Sequence, residues 1–379
     1  MKVALVHYWL VTMRGGEKVL EELCRLFPEA DIFTHVVDRD ALSPTLLRHD
    51  IKTSFIQNLP KARTQYQKYL PLMPMALEHL DLRGYDLVIS SEAGPAKGVI
   101  TDPEAVHVCY CHSPMRYVWN MYHDYRSSLG GVAAKALVPV AHYLRWWDAL
   151  TATRVDEFVA NSGNVAKRIQ RYYGRGSEVV YPPVAVDDFT PTRDHDGFYL
   201  LAGQLVGYKR ADLAVEAFNR SGRPLVVIGA GEQLEQLRHM AKPNVTILGP
   251  QPFSSLRDHY ARCRALIFPG EEDFGIVPVE AMASGKPVIA YGKGGALETV
   301  VEGRTGLFFR QQTVDDLNEA VTRFEATERR FSADEIALRA RAFDASVFRE
   351  DMQAVIGRAL AKGQLPGVEF PKIPASAAE

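Results

Sequence analysis

The sequence predicts an α/β protein built from two doubly wound domains. Three observations carry that prediction. Short apolar runs alternate with amphipathic stretches almost throughout, the pattern of parallel strands covered on both faces by helices. The length, 379 residues, exceeds what one ordinary core sustains. A proline-bearing segment, Tyr181-Pro182-Pro183 through Pro191, divides the alternation into two halves, and it cannot continue a helix.

In chain order, strands are predicted in the first half at residues 3–9, 31–37, 86–90, 106–111, 158–161 and 179–181. Helices fall at 17–27 and 165–173. The second half gives strands at 199–202, 225–228, 245–248, 265–268, 288–291 and 306–309. Its helices are predicted at 213–219, 254–262 and 277–284. Beyond residue 309 three helical stretches follow without strands between them, the last at about 346–360. The expected domains are 1–183 and 184–343, with a helix of about 344–362 packing back onto the first. Residues 363–379, rich in Pro and Ala, read as a flexible tail. Ligands of doubly wound sheets bind outside the carboxyl ends of the strands, so a site is expected in a cleft where two such ends face each other.

Composition narrows the function classes. The chain is 47% hydrophobic and 24% charged with a formal net charge of −2, which gives no electrostatic case for a nucleic-acid partner. The four cysteines, Cys24, Cys109, Cys111 and Cys263, read as buried reduced thiols. Cys109 and Cys111 stand two apart on one apolar strand and so share a face, but two thiols alone do not make a metal site. No metal or other cofactor is expected. Residues 1–10 fit neither a secretory leader nor a membrane span, so a cytoplasmic location is expected.

Four motifs sit where strands end and helices begin. Arg14-Gly15-Gly16-Glu17-Lys18 follows the first strand; glycines there let backbone N–H groups approach a phosphate, although any tight turn favours Gly. It is not the G-x-G-x-x-G fingerprint, which disfavours a dehydrogenase. His112 follows the strand 106–111 within Cys111-His112-Ser113-Pro114, on the ligand side of the sheet or as a structural imidazole bonding its own loop. Gly203 through Arg210 closes the strand 199–202 and places Lys209 and Arg210 together at a helix start. Two cations there oppose the helix dipole unless an anion rests between them. The sharpest motif runs from Pro269 to Ala283: an acidic turn of Glu271, Glu272 and Asp273, then Phe274, Gly275, a helix start at Ile276-Val277, and Glu280 one turn on. Glu280 sits among apolar neighbours, where a carboxylate needs a partner.

At these residues the chain resembles glycosyltransferase family 4, retaining enzymes of the GT-B fold, two Rossmann-like domains. The motif that carries the resemblance is a pair of glutamates separated by seven residues, here Glu272 and Glu280. Gly15-Gly16, His112-Ser113-Pro114, Asn161-Ser162, Tyr181-Pro182-Pro183, Lys209, Gly285-Lys286-Pro287, Gly294-Gly295 through Glu298, and Gly303 to Gly306 fall in the family's order, over about residues 1–309. Stretches 112–119 and 208–218 are similar in style to bacterial mannosyltransferases of exopolysaccharide and O-antigen assembly.

The resemblance implies an acceptor-binding first domain and a donor-binding second. Lys209 would neutralise the donor diphosphate, aided by N–H groups of Gly275, Ile276 and Val277. Glu272 would bind the donor sugar, Glu280 the ribose, and His112 the sugar near the reacting carbon. Gly16 would pack under the diphosphate or acceptor; Gly203, Arg210 and Phe274 complete the expected donor site. Where Gln204 stands the family usually carries an Arg, and Gln supplies no charge. The partners implied are a nucleotide sugar, with GDP-mannose the expected donor, and a saccharide or polyprenyl-linked saccharide acceptor. A sugar-nucleotide epimerase on the same scaffold and a non-catalytic nucleotide-sugar-binding module remain alternatives. Interleaved basic and aromatic residues, Lys61, Arg63, Tyr66, Lys68, Tyr69, Leu70, Leu72 and Met73 with Tyr143, Leu144, Arg145, Trp146 and Trp147, are expected to form a face lying on an anionic membrane, or else a packed amphipathic helix.

Overall fold

Runs such as Val3-Ala4-Leu5-Val6-His7 are buried along their whole length. A strand apolar on both faces is stable only inside a sheet covered twice, and a computed structural model describing residues 1–363 and 370–371 contains two such sheets. The chain divides into two units, residues 1–183 with the described residues from 348 onward, and Val184–Val347.

The first unit holds β1 (Val3–His7), β2 (Asp31–Thr34), β3 (Ile51–Thr53), β4 (Leu87–Glu92), β5 (Val106–Cys111), β6 (Glu157–Ala160) and β7 (Glu178–Val179), all parallel, in the order β3-β2-β1-β4-β5-β6-β7. Winding reverses between β1 and β4, which leaves a crevice at their carboxyl ends. One face is covered by the helix Gly15–Leu26 and by Ala345–Lys362, whose Phe348, Met352, Val355 and Ile356 pack among Leu5, Leu20, Leu23 and Tyr110. Arg349 also reaches back to Glu22 at 2.6 Å.

The second unit holds β8 (Tyr199–Ala202), β9 (Leu225–Ile228), β10 (Val245–Gly249), β11 (Ala265–Phe268), β12 (Val288–Tyr291) and β13 (Gly306–Phe309), again parallel, in the order β10-β9-β8-β11-β12-β13. Its reversal lies between β8 and β11. Entry and exit of this unit are tied together, with Val184 N–H donating to Phe343 O at 3.0 Å and Ala345 N–H to Val184 O at 3.1 Å.

Several expectations are corrected. Strand β3 was not foreseen: three residues, Ile51-Lys52-Thr53, only the first of them buried, are too few to show a period. The helix Gly131–Thr151 was foreseen only as the packed alternative at 143–147, and its first three turns were missed. It opens on two glycines and contains Pro139, both of which read as breakers. Strands 3–9 and 31–37 end early, because residues 10 and 37 form only an isolated bridge. The proposed membrane face is not one surface: Met73, Leu144 and Trp147 are buried, and the Trp147 indole donates to Glu78 at 3.1 Å. The tail reading for 363–379 falls mainly outside the described residues, but Phe370 stacks edge-on against Phe27, 5.6 Å between ring centres. All four cysteines are buried and free.

Candidate active site

In the second unit, two loops leave neighbouring strands at the reversal point. After β8 the chain makes a short 3-10 turn, Gly207–Lys209, and Arg210 takes a left-handed φ of 55° before the helix Ala211–Ser221 begins. The Arg210 guanidinium is turned onto Asp212, at 3.1 Å from Oδ1, so the acidic residue two places on relieves the crowding of cations at this helix start. After β11 the acidic turn runs to Gly275, whose φ of 90° caps the helix Ile276–Ala283; L side chains rarely adopt that conformation.

These loops bring Lys209 and Glu272 together, Nζ to Oε1 at 2.9 Å, each side chain 17% exposed. Gly203 lies alongside, where an added Cβ would be 3.7 Å from Lys209 Nζ and 3.8 Å from Val277. The acidic turn is braced from behind by Gly295, whose N–H donates to Glu272 O at 2.9 Å, and by Gln312, whose amide donates to Pro269 O at 2.8 Å. A Cβ on Gly295 would overlap the Phe274 backbone. Phe274 itself is buried against Phe343, so its ring belongs to the core and only its backbone can face a ligand.

Glu280 accepts a hydrogen bond from Tyr260 at 2.7 Å. Burial raises its carboxyl above the usual range, opposed by the Tyr260 bond and by the Lys209 charge. The first-turn N–H groups of Ile276 and Val277 lack intrahelical acceptors by construction, while Pro278 contributes none. A cation, a helix amino end and two carboxylates thus converge at the end of β11, an arrangement suited to holding an anion and hydroxyls at once.

In the first unit, His112 directly follows β5, and its N–H donates to Glu92 O at 2.8 Å, extending the β4–β5 ladder by one residue. Its Nε2 is 2.8 Å from Ser91 Oγ. Burial lowers the imidazole to about 4, so it is neutral near pH 7. The end of β4 is anchored by a wholly buried triad in which Lys97 pairs with Glu92 at 3.3 Å and with Asp148. Trp119 and Tyr173 also donate to Asp148, at 2.7 and 2.9 Å. Gly16, in the first turn of Gly15–Leu26, lies so close to β1 that a Cβ would stand 2.5 Å from the Tyr8 hydroxyl.

Sequence reasoning missed Tyr260, Ser91 and the bracing by Gln312. Tyr260 lies inside the helix Phe253–Arg262, where an aromatic residue reads as core, and no spacing marks its hydroxyl as a partner of Glu280. Among the described residues no group of His, Cys, Asp and Glu could hold a metal ion.

Two family models match in succession, Glycosyltransferase Family 4 over residues 13–188 and Glycosyl transferases group 1 over residues 187–341. The chain belongs to glycosyltransferase family 4. Among curated family members, an uncharacterized glycosyltransferase of Methanocaldococcus jannaschii is 26% identical over 47% of this chain and 52% of its own length. The O-antigen chain mannosyltransferase RfbU of Salmonella typhimurium is 28% identical over 39% of this chain and 45% of its own. A GDP-mannose-dependent phosphatidylinositol monomannoside mannosyltransferase of Mycolicibacterium smegmatis is 28% identical over 52% and 63%. The chain spans about half the length of these curated relatives. Among solved structures, Anabaena HepE in complex with UDP superposes with a TM-score of 0.69 at 16% identity, covering 94% of this chain and all of that one. Sucrose-phosphate synthase of Thermosynechococcus elongatus gives 0.72 at 18%, over 96% of this chain and all of that one. Both likenesses show the GT-B fold.

Proposed function

We propose that this family 4 glycosyltransferase moves a hexose, mannose from GDP-mannose, to a saccharide or polyprenyl-linked saccharide with retention of anomeric configuration, in cell-surface polysaccharide biosynthesis. The observation that carries the reading is the Lys209–Glu272 pair beside the amino end of Ile276–Ala283. When the bond from the anomeric carbon to the diphosphate breaks, negative charge grows on the leaving oxygen, and stabilising that charge dominates the barrier. Lys209 and the first-turn N–H groups are the donors available. Glu272 and Glu280 arise from one strand-to-helix segment, unlike the flanking carboxylates of a retaining glycosidase. The acceptor's proton passes instead to the departing phosphate oxygen as the new carbon–oxygen bond forms on the same face. Mannose and guanine rest on the names of the Salmonella and Mycolicibacterium relatives.

A thermal-shift screen tests the donor, because a ligand that binds the folded state raises its melting temperature by mass action. GDP is expected to stabilise the protein; stabilisation by UDP or ADP with none by GDP would overturn the guanine assignment. An epimerase would convert donor with no acceptor present, which product analysis separates from transfer.

The acceptor reading includes a peripheral habit at the inner face of the cell membrane. Its support is the helix Gly131–Thr151, where Trp146 is 64% and Val132 83% exposed and Tyr143, Val138 and Leu150 also face outward. No helix among the described residues is long and apolar enough to cross a membrane. Co-sedimentation with anionic vesicles at low salt is expected, and a failure to sediment would remove this part of the reading.

A further inference from the structure

His7, Ser91 and His112 stand at the carboxyl ends of β1, β4 and β5, three adjacent strands. Parallel partners in register point their side chains the same way, and His7 is the partner of Ser91 as Ser91 is of Tyr110. His112 lies two residues beyond Tyr110, on the same face, with the two rings 5.1 Å apart. The Ser91 hydroxyl therefore sits between two imidazoles, 3.1 Å from His7 Nδ1 and 2.8 Å from His112 Nε2. The other nitrogen of His7, Nε2, is buried without a hydrogen-bond partner. Gly16 lies beside that ring, where an added Cβ would stand in ordinary contact, 3.5 Å from His7 Cε1.

Ser91 carries one hydroxyl proton and two lone pairs. Were both imidazoles to donate to it, its own buried proton would point away from both of the partners it has, His7 and His112, so the chain of bonds runs in one direction at a time. If Ser91 donates to His7, then His112 donates from Nε2 and presents a bare Nδ1, and His7 must carry its proton on the buried, partnerless Nε2. If His7 donates from Nδ1, Ser91 donates to His112, whose proton then lies on Nδ1. Orphaned buried N–H groups are rarer in folded proteins than under-used acceptors, which favours the second direction. Burial holds both imidazoles below their ordinary range, so each is neutral and the one-proton count applies.

We infer that His7 and Ser91 are positioning residues that fix His112 in the Nδ1–H tautomer, so that it meets the substrate as a hydrogen-bond donor rather than as a base. This rests on the proposed transferase reading, in which His112 contacts the sugar near the reacting carbon. A neutral donor at that place suits a sugar oxygen and leaves the acceptor's proton to the phosphate.

Nitrogen-15 spectra of the full chain with labelled histidine, assigned by the signals lost in His112→Gln, report the tautomer directly. The expected result is His112 protonated on Nδ1, shifting to Nε2 in Ser91→Ala and staying in place in Ser91→Thr. In steady-state assays Ser91→Ala and His7→Leu should lower kcat tenfold or more with the Kd for GDP unchanged. His7→Asn, whose amide can replace the Nδ1 donor, should recover most of the loss in His7→Leu. A wild-type His112 protonated on Nε2, or folded Ser91→Ala and His7→Leu proteins with wild-type kcat, would overturn the inference. The expected tautomer in a protein that turns over no nucleotide sugar would leave the relay standing and sink the transferase reading instead.

Discussion

Lys209 Nζ lies 2.9 Å from Glu272 Oε1, so the cation proposed for the diphosphate is held by the carboxylate proposed for the sugar. In the proposed reaction a diphosphate reaching Lys209 would compete with Glu272, and the carboxylate would be released toward the hexose as the phosphate took its place. On that proposal donor binding and sugar orientation would be coupled through one ion pair.

That coupling predicts opposite effects at its two ends. Glu272→Gln should lower kcat by about ten- to a hundredfold, the loss of one charge-assisted contact of about 1.5–3 kcal/mol. GDP should bind this variant as tightly as wild type or more tightly, because its competitor for Lys209 is weakened. Lys209→Met should instead weaken GDP by a similar factor. Calorimetry with GDP and steady-state kinetics measure both; equal weakening of GDP in the two variants would contradict the division of roles.

Glu280 and Tyr260 give a pH-dependent prediction. A carboxylate accepting ribose hydroxyls must be ionised, and burial holds the Glu280 carboxyl above its usual range while the Tyr260 bond pulls it down. In the proposed role, the nucleotide affinity that Glu280 contributes would be present above that raised pKa and lost as pH falls through it. Tyr260→Phe removes the opposing bond, so its affinity should begin to fall at a higher pH than in wild type. Glu280→Gln should raise KM more than it lowers kcat, since the ribose is remote from the breaking bond. Titrating GDP affinity from pH 8 downward distinguishes the three proteins.

Gly295 supports the acidic turn from outside the site. A Cβ there overlaps the backbone of Phe274, and an added methyl in a packed interior costs about 1–3 kcal/mol. Gly295→Ala should displace Glu272 and lose activity together with GDP affinity, while circular dichroism stays native. A variant of full activity would show that the turn is held elsewhere.

Much of this was legible in the sequence because the signals were periodic or chemically odd. Five of the six second-unit strands, such as Tyr199–Ala202 and Ala265–Phe268, agree with expectation to the residue, since each is a short apolar run bounded by polar turns. Glu280 stood out as a carboxylate amid apolar neighbours, and the structure supplies its partner. What stayed hidden depends on contacts between distant segments. Ser91 reads as an ordinary residue near a strand end, and its place between His7 and His112 exists only once β1, β4 and β5 lie side by side. Arg210 read as a second anion ligand because pairing with Asp212 across a left-handed residue leaves no periodic mark.

His35 gives a stability prediction independent of function. It is buried between Ser54 Oγ at 3.1 Å and Pro95 O at 3.2 Å, and burial lowers its pKa to about 4. The unfolded imidazole titrates near about 6.5, so between those values the unfolded chain binds the extra proton. Stability from this group is complete above about pH 6.5 and declines below it by about 1.4 kcal/mol per pH unit. His35→Gln lacks that term, so its deficit against wild type should narrow between pH 6.5 and 4.5 in urea denaturation. A constant gap would mean the imidazole is not held neutral.

The central claim is that Lys209, Glu272 and the amino end of Ile276–Ala283 activate a nucleoside diphosphate as leaving group. Donor turnover tests it most directly: chromatographic detection of GDP released from GDP-mannose by wild type, Lys209→Met and Glu272→Gln, with UDP- and ADP-sugars run in parallel. The account predicts slow release of GDP by wild type even with water as acceptor, and at least tenfold slower release by both variants. Release from none of the nucleotide sugars, or release by the variants at the wild-type rate, would contradict it.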